Sequence, residues 1–194
     1  MVEVPRALGE GATSEGRRGG AGTREAAGNE LETLYLALVR NYYEPILRYV
    51  HGMVLNEPEA EDVTQDAFLK AYLALPTGGV PDNPRAWLYR IATNTTVDHL
   101  RRRRRGGTVG LHRLLHVLRG RDRMAAVEDA EPIDRALKAV GPEPRALLLL
   151  FAEVGMKAPE VAEVLGITPA AARKRRQRAR EAFTRAYREV TGEL

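Results

Sequence analysis

The chain has no cysteine. That excludes a disulfide framework and a thiolate metal site, and nothing in it asks for an oxidising compartment. Histidine is scarce, with four in 194 residues. His112 and His116 have helical spacing, but a zinc hydrolase motif needs Glu directly after the first histidine; Arg113 stands there, and no third ligand is in view. His51 and His99 are isolated. No apolar run approaches the length needed to cross a bilayer, the longest being Ala146 to Ala152. The first residues lack the apolar core of a signal peptide, so a cytoplasmic protein is expected. No β-alternation of useful length occurs. A nucleophile elbow and a catalytic carboxylate pair are also missing. Gly-rich 9–22 has no following Lys-Ser/Thr and no preceding strand, so it is not a nucleotide cradle. The expectation is a non-enzyme without cofactor or metal.

What is present is charge, unevenly spread. The net charge of +4 conceals an acidic block from Glu57 to Asp66, a second from Glu128 to Asp134, and basic blocks at Arg101–Arg105 and Arg173–Arg188. Two separated basic blocks suggest two contacts with a polyanion; the first acidic block suggests a protein partner. The second basic block sits in a specific grammar. Val161-Ala-Glu-Val-Leu-Gly-Ile-Thr-Pro carries a small Ala162 where two helices must cross and a Gly166 able to end the first helix in the left-handed conformation. Ile167 buries the turn, and Thr168-Pro169 supplies an N-cap hydroxyl and a favoured first helical residue. Arg173-Lys-Arg-Arg-Gln-Arg-Ala-Arg follows. This is the layout of a helix-turn-helix whose second helix enters a DNA major groove.

Along the chain, residues 1–28 are rich in Gly, Ala and Arg with hardly a large apolar residue, and a disordered tail is expected. Leu31, Leu34, Tyr35 and Leu38, then Tyr42, Ile46, Tyr49, Val50 and Met53, recur at helical spacing. Pro45 predicts two helices here, or one broken near Tyr43. A third helix is predicted from Asn56–Pro58 to about Leu73, and Leu75 to Pro84 is a loop by composition. Asn83-Pro84 caps a long helix with Trp87, Leu88, Ile91, Ala92 and Val97 inward; spacing favours core packing over base stacking for Trp87. The stretch 106–131 has linker composition, with one amphipathic piece at 111–118. Beyond Pro132 come a small helix to Val140, an apolar helix from Pro144 to Val154, and the helix-turn-helix. The fold class is all-α: two small helical domains, 29–105 and 132–190, joined by a flexible linker.

Ala60-Glu-Asp-Val-Thr-Gln-Asp-Ala-Phe-Leu, with Pro84-Arg-Ala-Trp-Leu-Tyr-Arg-Ile-Ala-Thr-Asn and Asp98-His-Leu-Arg-Arg, resembles region 2 of bacterial sigma factors. The helix-turn-helix ending Gln177-Arg-Ala-Arg-Glu is similar to sigma region 4. Both regions with only a linker between them resemble the small extracytoplasmic-function (ECF) sigma factors. The resemblance implies a dissociable initiation subunit of RNA polymerase that recognises −35 and −10 promoter elements and promotes DNA melting. The implied partners are core polymerase (the clamp helices of the largest subunit and the flap of the second largest), promoter DNA and an anti-sigma factor, with no membrane insertion. Glu61, Asp62, Gln65, Asp66 and Phe68 match the polymerase-gripping surface, although Phe68 fits the core equally well. Glu57 and Glu59 fit a solvated helix face. Tyr89, Arg90, Asn94 and Asp98, with Arg101, Arg102 and Arg103, match the part that opens and holds the −10 element, and the loop Leu75 to Pro84 would wall its base pocket.

In the second domain Arg173, Lys174 and Gln177 face away from buried Ala172 and Ala179, and are residue types that pair with guanine and adenine edges. Arg176 and Arg178 complete the −35 set. Arg175, Arg178 and Arg180 fit phosphate contacts or ion pairs with Glu160, Glu163 or Glu181. Two positions depart from the family. Arg176 stands where leucine usually packs on the domain core, so it either loosens the helix or snorkels outward, and Ala171 stands where Thr is common. The apolar piece at 111–118 fits packing against polymerase and against the chain's own domains equally. The competing class is a dimeric transcriptional regulator, which would need neither the acidic motif nor the arginine-tipped helix. A third, an adaptor that binds polymerase without reading DNA, leaves the basic helix unexplained. In the free protein the two domains are expected to pack together and hide DNA-binding surfaces.

Overall fold

The structure is a computed structural model that describes residues 20–78, 81–104 and 130–192. Among them are seven helices: α1 (Gly20–Val54), α2 (Glu57–Gly78), α3 (Pro84–Arg104), α4 (Ala130–Val140), α5 (Pro142–Ala152), α6 (Ala158–Leu165) and α7 (Pro169–Thr191). There is no strand among the described residues. The amphipathic piece at 111–118, with His112 and His116, lies outside them, as does most of the expected tail.

Three boundaries differ from expectation. Helix α1 begins at Gly20, inside the stretch expected to be disordered; Thr23-Arg-Glu-Ala-Ala offers enough helix formers to extend it. Pro45 lies within α1 and does not break it. Proline removes one backbone donor, but the turns beyond it carry Ile46, Tyr49, Val50 and Met53, all essentially inaccessible, and their packing outweighs one lost bond. Helix α2 runs on through Pro76 to Gly78, so the expected Leu75–Pro84 loop shrinks to its second half. Leu75 is buried and ties that last turn down.

The expected caps are present. Asn56 Oδ1 accepts from the Glu59 amide at 3.0 Å, and Asn83 Oδ1 from the Ala86 amide at 3.2 Å. These open α2 and α3 by satisfying amides that have no partner within the helix. In α3 the inner face is less apolar than its spacing suggests, because Thr93, Thr95 and Thr96 are buried beside Leu88, Ala92 and Val97. Thr93 Oγ1 bonds back to the Tyr89 carbonyl at 2.6 Å and Thr96 Oγ1 to the Ala92 carbonyl at 2.7 Å, the local bonding open to a helical threonine. Tyr49, fully buried, shares a 2.8 Å hydrogen bond with Thr93, and its burial pushes the phenol pKa up. Tyr49→Phe deletes that bond while keeping the ring. It should lower the free energy of unfolding by about 1 kcal/mol, measurable in urea titrations.

The two helical groups do not sit apart. Buried residues of α1–α3 and of α5–α7 form one continuous core. Helix α5 packs on α1 and α6 on α3. Within the second group, Ala172, Ala179 and Ala186 are buried at seven-residue intervals, so α7 lies close against α4 and α5 along a single seam.

Candidate nucleic-acid and protein interfaces

The turn between α6 and α7 has the geometry its residues imply. Gly166 takes φ 63°, and the Ile167 amide donates to the Ala162 carbonyl at 3.0 Å. Thr168 Oγ1 accepts from the Ala171 amide at 3.2 Å. At the other end of α6 the Glu160 carboxylate reaches back to the Lys157 amide at 2.8 Å. Helix α7 therefore starts at a defined angle, with Ala172 in the core and the opposite face of its first turns outward. Arg173, Lys174, Arg176, Gln177 and Arg178 are all exposed.

Two of these side chains have partners. The Arg176 guanidinium lies 4.6 Å from the ring centroid of Phe151 on α5. An arginine in the leucine position thus covers the domain core with its stem and a cation–π contact, and its charge still meets solvent. Gln177 Nε2 donates to Glu181 Oε1 at 2.8 Å. The ion pairs considered for Arg175, Arg178 and Arg180 are not formed: Glu160 pairs with Arg85, Glu163 accepts from Asn83, and Glu181 from Gln177. Arg175, Arg178 and Arg180 are exposed and take part in no ion pair among the described residues.

On α2, Gln65 and Asp66 are exposed, Glu61 and Asp62 half-buried, and Phe68 only 4% exposed. Phe68 packs on Tyr43, ring centroids 5.5 Å apart, so of its two sequence readings the core one holds. It also floors a groove of about 350 Å³ between α1 and α2, lined by Tyr35, Val39, Tyr43, Gln65, Leu69 and Tyr72. Leu69 and Tyr72 of this lining expose much of their surface, as do Leu36 of α1 and Leu73 of α2. In the sequence Phe68, Leu69, Tyr72 and Leu73 belong to one apolar stretch interrupted only by Lys70, which does not show which of them stay outside the core. Glu59 is not solvated as expected: it is largely buried, accepting from Arg103 at 2.6 Å with His99 at 3.5 Å.

On α3, Arg90, Asn94, Asp98, Arg101, Arg102 and Arg103 are exposed. Tyr89 is not. It is 3% exposed, with its ring edge-on to Tyr49 at 5.3 Å, and burial raises its pKa. Tyr89 therefore does not share the exposed face of Arg90, Asn94 and Asp98 with which it was grouped, because the α1–α3 crossing takes the ring inward. Trp87 is partly buried against the core. Arg101 pairs with Glu143 at 2.7 Å, and Arg102 Nε donates to the Asp98 carbonyl at 3.3 Å.

Arg145 was not singled out by its sequence. It is 4% exposed, with Nε donating to the Leu137 carbonyl at 2.7 Å and Nη1 to the Met53 carbonyl. Burial, then Arg104 and Arg103, pull its pKa down to about 10, so it remains charged at neutral pH. An arginine in an otherwise apolar helix segment, Pro144-Arg-Ala-Leu-Leu-Leu-Leu, was the available signal.

Comparison with known proteins adds to this geometry. Sigma-70 region 2 matches residues 38–106 and sigma-70 region 4 matches residues 130–183. The chain is 27% identical over 165 residues to the ECF RNA polymerase sigma factor SigW of Bacillus subtilis, covering 79% of this chain and 88% of that one. It is 38% identical over 116 residues to the RNA polymerase sigma-H factor of Pseudomonas aeruginosa, covering 57% and 52%. Among solved structures it is similar to CnrH in complex with the cytosolic domain of CnrY, with TM-score 0.59, 28% identity and coverage of 84% and 91%. It also shares its fold with RpoE in complex with the anti-sigma factor NepR from Bartonella quintana, with TM-score 0.58, 18% identity and coverage of 84% and 98%.

Proposed function

The chain belongs to the sigma-70 family as an ECF-type RNA polymerase sigma factor, and on that premise we propose which of its surfaces serves each partner. Its role is to bind core RNA polymerase and direct transcription initiation at promoter DNA. Residues 29–105 form the domain for polymerase and the −10 element, and 132–190 the domain for the −35 element. The observation that carries this division is the exposure, in one chain, of an amide-and-carboxylate face on α2 and of basic first turns on α7. One surface suits a polar protein partner rich in arginine; the other suits a major groove.

Glu61, Asp62, Gln65 and Asp66 meet the clamp helices of the largest subunit. The groove floored by Phe68 supplies the apolar part of that face, with Phe68 shaping it from below. Arg90, Asn94 and Asp98 contact the non-template strand of the −10 element once it is unstacked. Arg101, Arg102 and Arg103 exchange their internal partners for phosphates, a salt-sensitive contact with little sequence information. On α7, Arg173, Lys174 and Gln177 read bases of the −35 element, Arg178 holds phosphate, and Arg176 stays near its aromatic seat. The flap of the second largest subunit holds the second domain. An anti-sigma factor is a further partner, a reading supported by the likeness to CnrH, whose structure was solved with the cytosolic domain of CnrY. No helix among the described residues is long and apolar enough to cross a membrane.

Titration of the labelled chain into core polymerase without DNA tests the reading. Saturable binding supports a sigma factor; no binding, with duplex bound by the chain alone, supports the regulator instead. Lys174→Ala tests the −35 assignment. It should reduce discrimination at one base position by about 1–3 kcal/mol, read as promoter-variant affinities of the holoenzyme. An equal loss on every sequence would make Lys174 a phosphate contact.

A further inference from the structure

Between Pro169 and Arg188 the basic helix α7 carries a single acid, Glu181. Its place on the helix is central. Ala172, Ala179 and Ala186 mark the side that meets the core. At about 100° per residue, Gln177 and Glu181 each lie about 20° from the direction opposite that seam, with Arg173 and Lys174 flanking the same line one turn earlier. All four are exposed, and Arg176, seated over Phe151, fixes the rotation that turns this face outward. A carboxylate there repels the phosphates of a duplex, so its contacts within the chain are the guide to what it does.

Arg178, three residues before Glu181, and Arg185, four after, are both within reach along the helix surface. Neither is its partner, for Glu181 takes part in no ion pair among the described residues. Its Oε1 accepts instead from Gln177 Nε2 at 2.8 Å. That contact fixes which end of the carboxamide faces a base. A carboxylate can only accept, so Gln177 must turn its nitrogen toward Glu181 and its oxygen the other way. Glu181 lies one turn toward the C-terminal end, whereas a recognition helix meets base edges with its N-terminal residues. Drawing Nε2 back along the helix therefore leaves Oε1 forward, with one N–H of the nitrogen still to spare.

Base edges in the major groove differ in what they offer to such an oxygen. Adenine N6 and cytosine N4 donate; guanine shows the acceptors N7 and O6, and thymine the acceptor O4 beside its methyl group. An oxygen held forward pairs with the first two and meets lone pairs on the others. Adenine fits better than cytosine, because its N7 also accepts the spare N–H. A carboxamide without Glu181 turns over freely and offers either end.

We propose that Glu181 is a specificity-determining residue of the −35 interface: it holds Gln177 with Oε1 forward, so that one position of the element is read as an amino-bearing base, adenine before cytosine. This rests on the function proposed above and adds what one of its base-reading side chains chooses. Glu181 is a positioning residue and acts only through Gln177.

The test is a base-preference profile of the holoenzyme, assembled from core polymerase and the full chain, on promoter duplexes randomised over the −35 element. Gln177→Ala should erase the preference at one position, which wild type fills with adenine or cytosine. Glu181→Ala, an exposed change to a good helix former, should lower that same preference by about two- to fivefold, the range of a side-chain hydrogen bond between a helix surface and a groove that excludes water. Other positions should keep their profile. In the Gln177→Ala background, Glu181→Ala should leave every ratio between bases unchanged. A uniform gain on all sequences would make Glu181 a repelling charge only and overturn the proposal. So would a wild-type preference for guanine or thymine at the Gln177 position, or a Gln177→Ala profile identical to wild type. A change of base ratios by Glu181→Ala in the Gln177→Ala background would show direct contact with a base and overturn it as well. A chain that failed to bind core polymerase would defeat the sigma-factor assignment, and the same profiles taken with the chain alone on duplex would still decide the role of Glu181.

Discussion

Asp66→Arg should weaken binding to core RNA polymerase by about a hundredfold or more, because like charges forced together at an interface cost several kcal/mol and each factor of ten is about 1.4 kcal/mol. The position isolates the interaction from the fold. Asp66 is exposed on α2, while Val63, Ala67 and Ala71 point into the core. It takes part in none of the ion pairs among the described residues. Asp62 is the less discriminating site, since it is half-buried and an arginine there would disturb packing as well as binding. The measurement is the same titration of labelled chain into core polymerase, with thermal melting as control. Unchanged affinity with unchanged melting would remove this face of α2 from the polymerase contact. Loss of affinity with the groove intact would next direct attention to Leu69 and Tyr72, whose exposed apolar surface continues the same face.

How far such assignments could be made before the fold was known depends on the range of the interactions involved. The α6–α7 turn was legible because Ala162, Gly166, Thr168 and Pro169 act within a few residues, and each met its expected partner. The caps at Asn56 and Asn83 were legible for the same reason. Pro45 misled, since its local penalty is set against burial of Ile46, Tyr49 and Met53 by helices distant in sequence. Tyr89 misled too: helical spacing puts it beside Arg90, but the crossing of α1 and α3 decides which of the two points inward. Of the site, the charged residues on α7 stayed where periodicity put them. The arginines of α3 did not remain free, because Glu59, Glu143 and Glu163, far away in sequence, supply their partners. Packing between the halves was expected, but not as one continuous core. Its contacts run through Gly52 and Arg145, neither of which carries a motif.

Arg145→Leu should be the most destabilising single change in the second helical group, and the manner of its failure is informative. The guanidinium serves two helix ends at once, since Leu137 lies in the last turn of α4 and Met53 in the last turn of α1. Those carbonyls have no acceptor role left within their helices, and a cation there also opposes the negative end of each helix dipole. Leucine fills much of the volume but donates nothing, so each orphaned carbonyl costs about 1–3 kcal/mol. The two losses are not equivalent. The Leu137 carbonyl is internal to the second group and must be desolvated whenever that group is folded. The Met53 carbonyl belongs to the first group and regains water if α1 and α5 part. Arg145→Leu should therefore release the interface before it unfolds either group, turning one urea transition into two. Arg145→Lys keeps the charge but lacks the fork that spans both acceptors, so it should fall between wild type and leucine. A single cooperative transition, shifted by less than about 1 kcal/mol in either variant, would mean that water can reach both carbonyls in the folded chain and that Arg145 is not what joins the two halves.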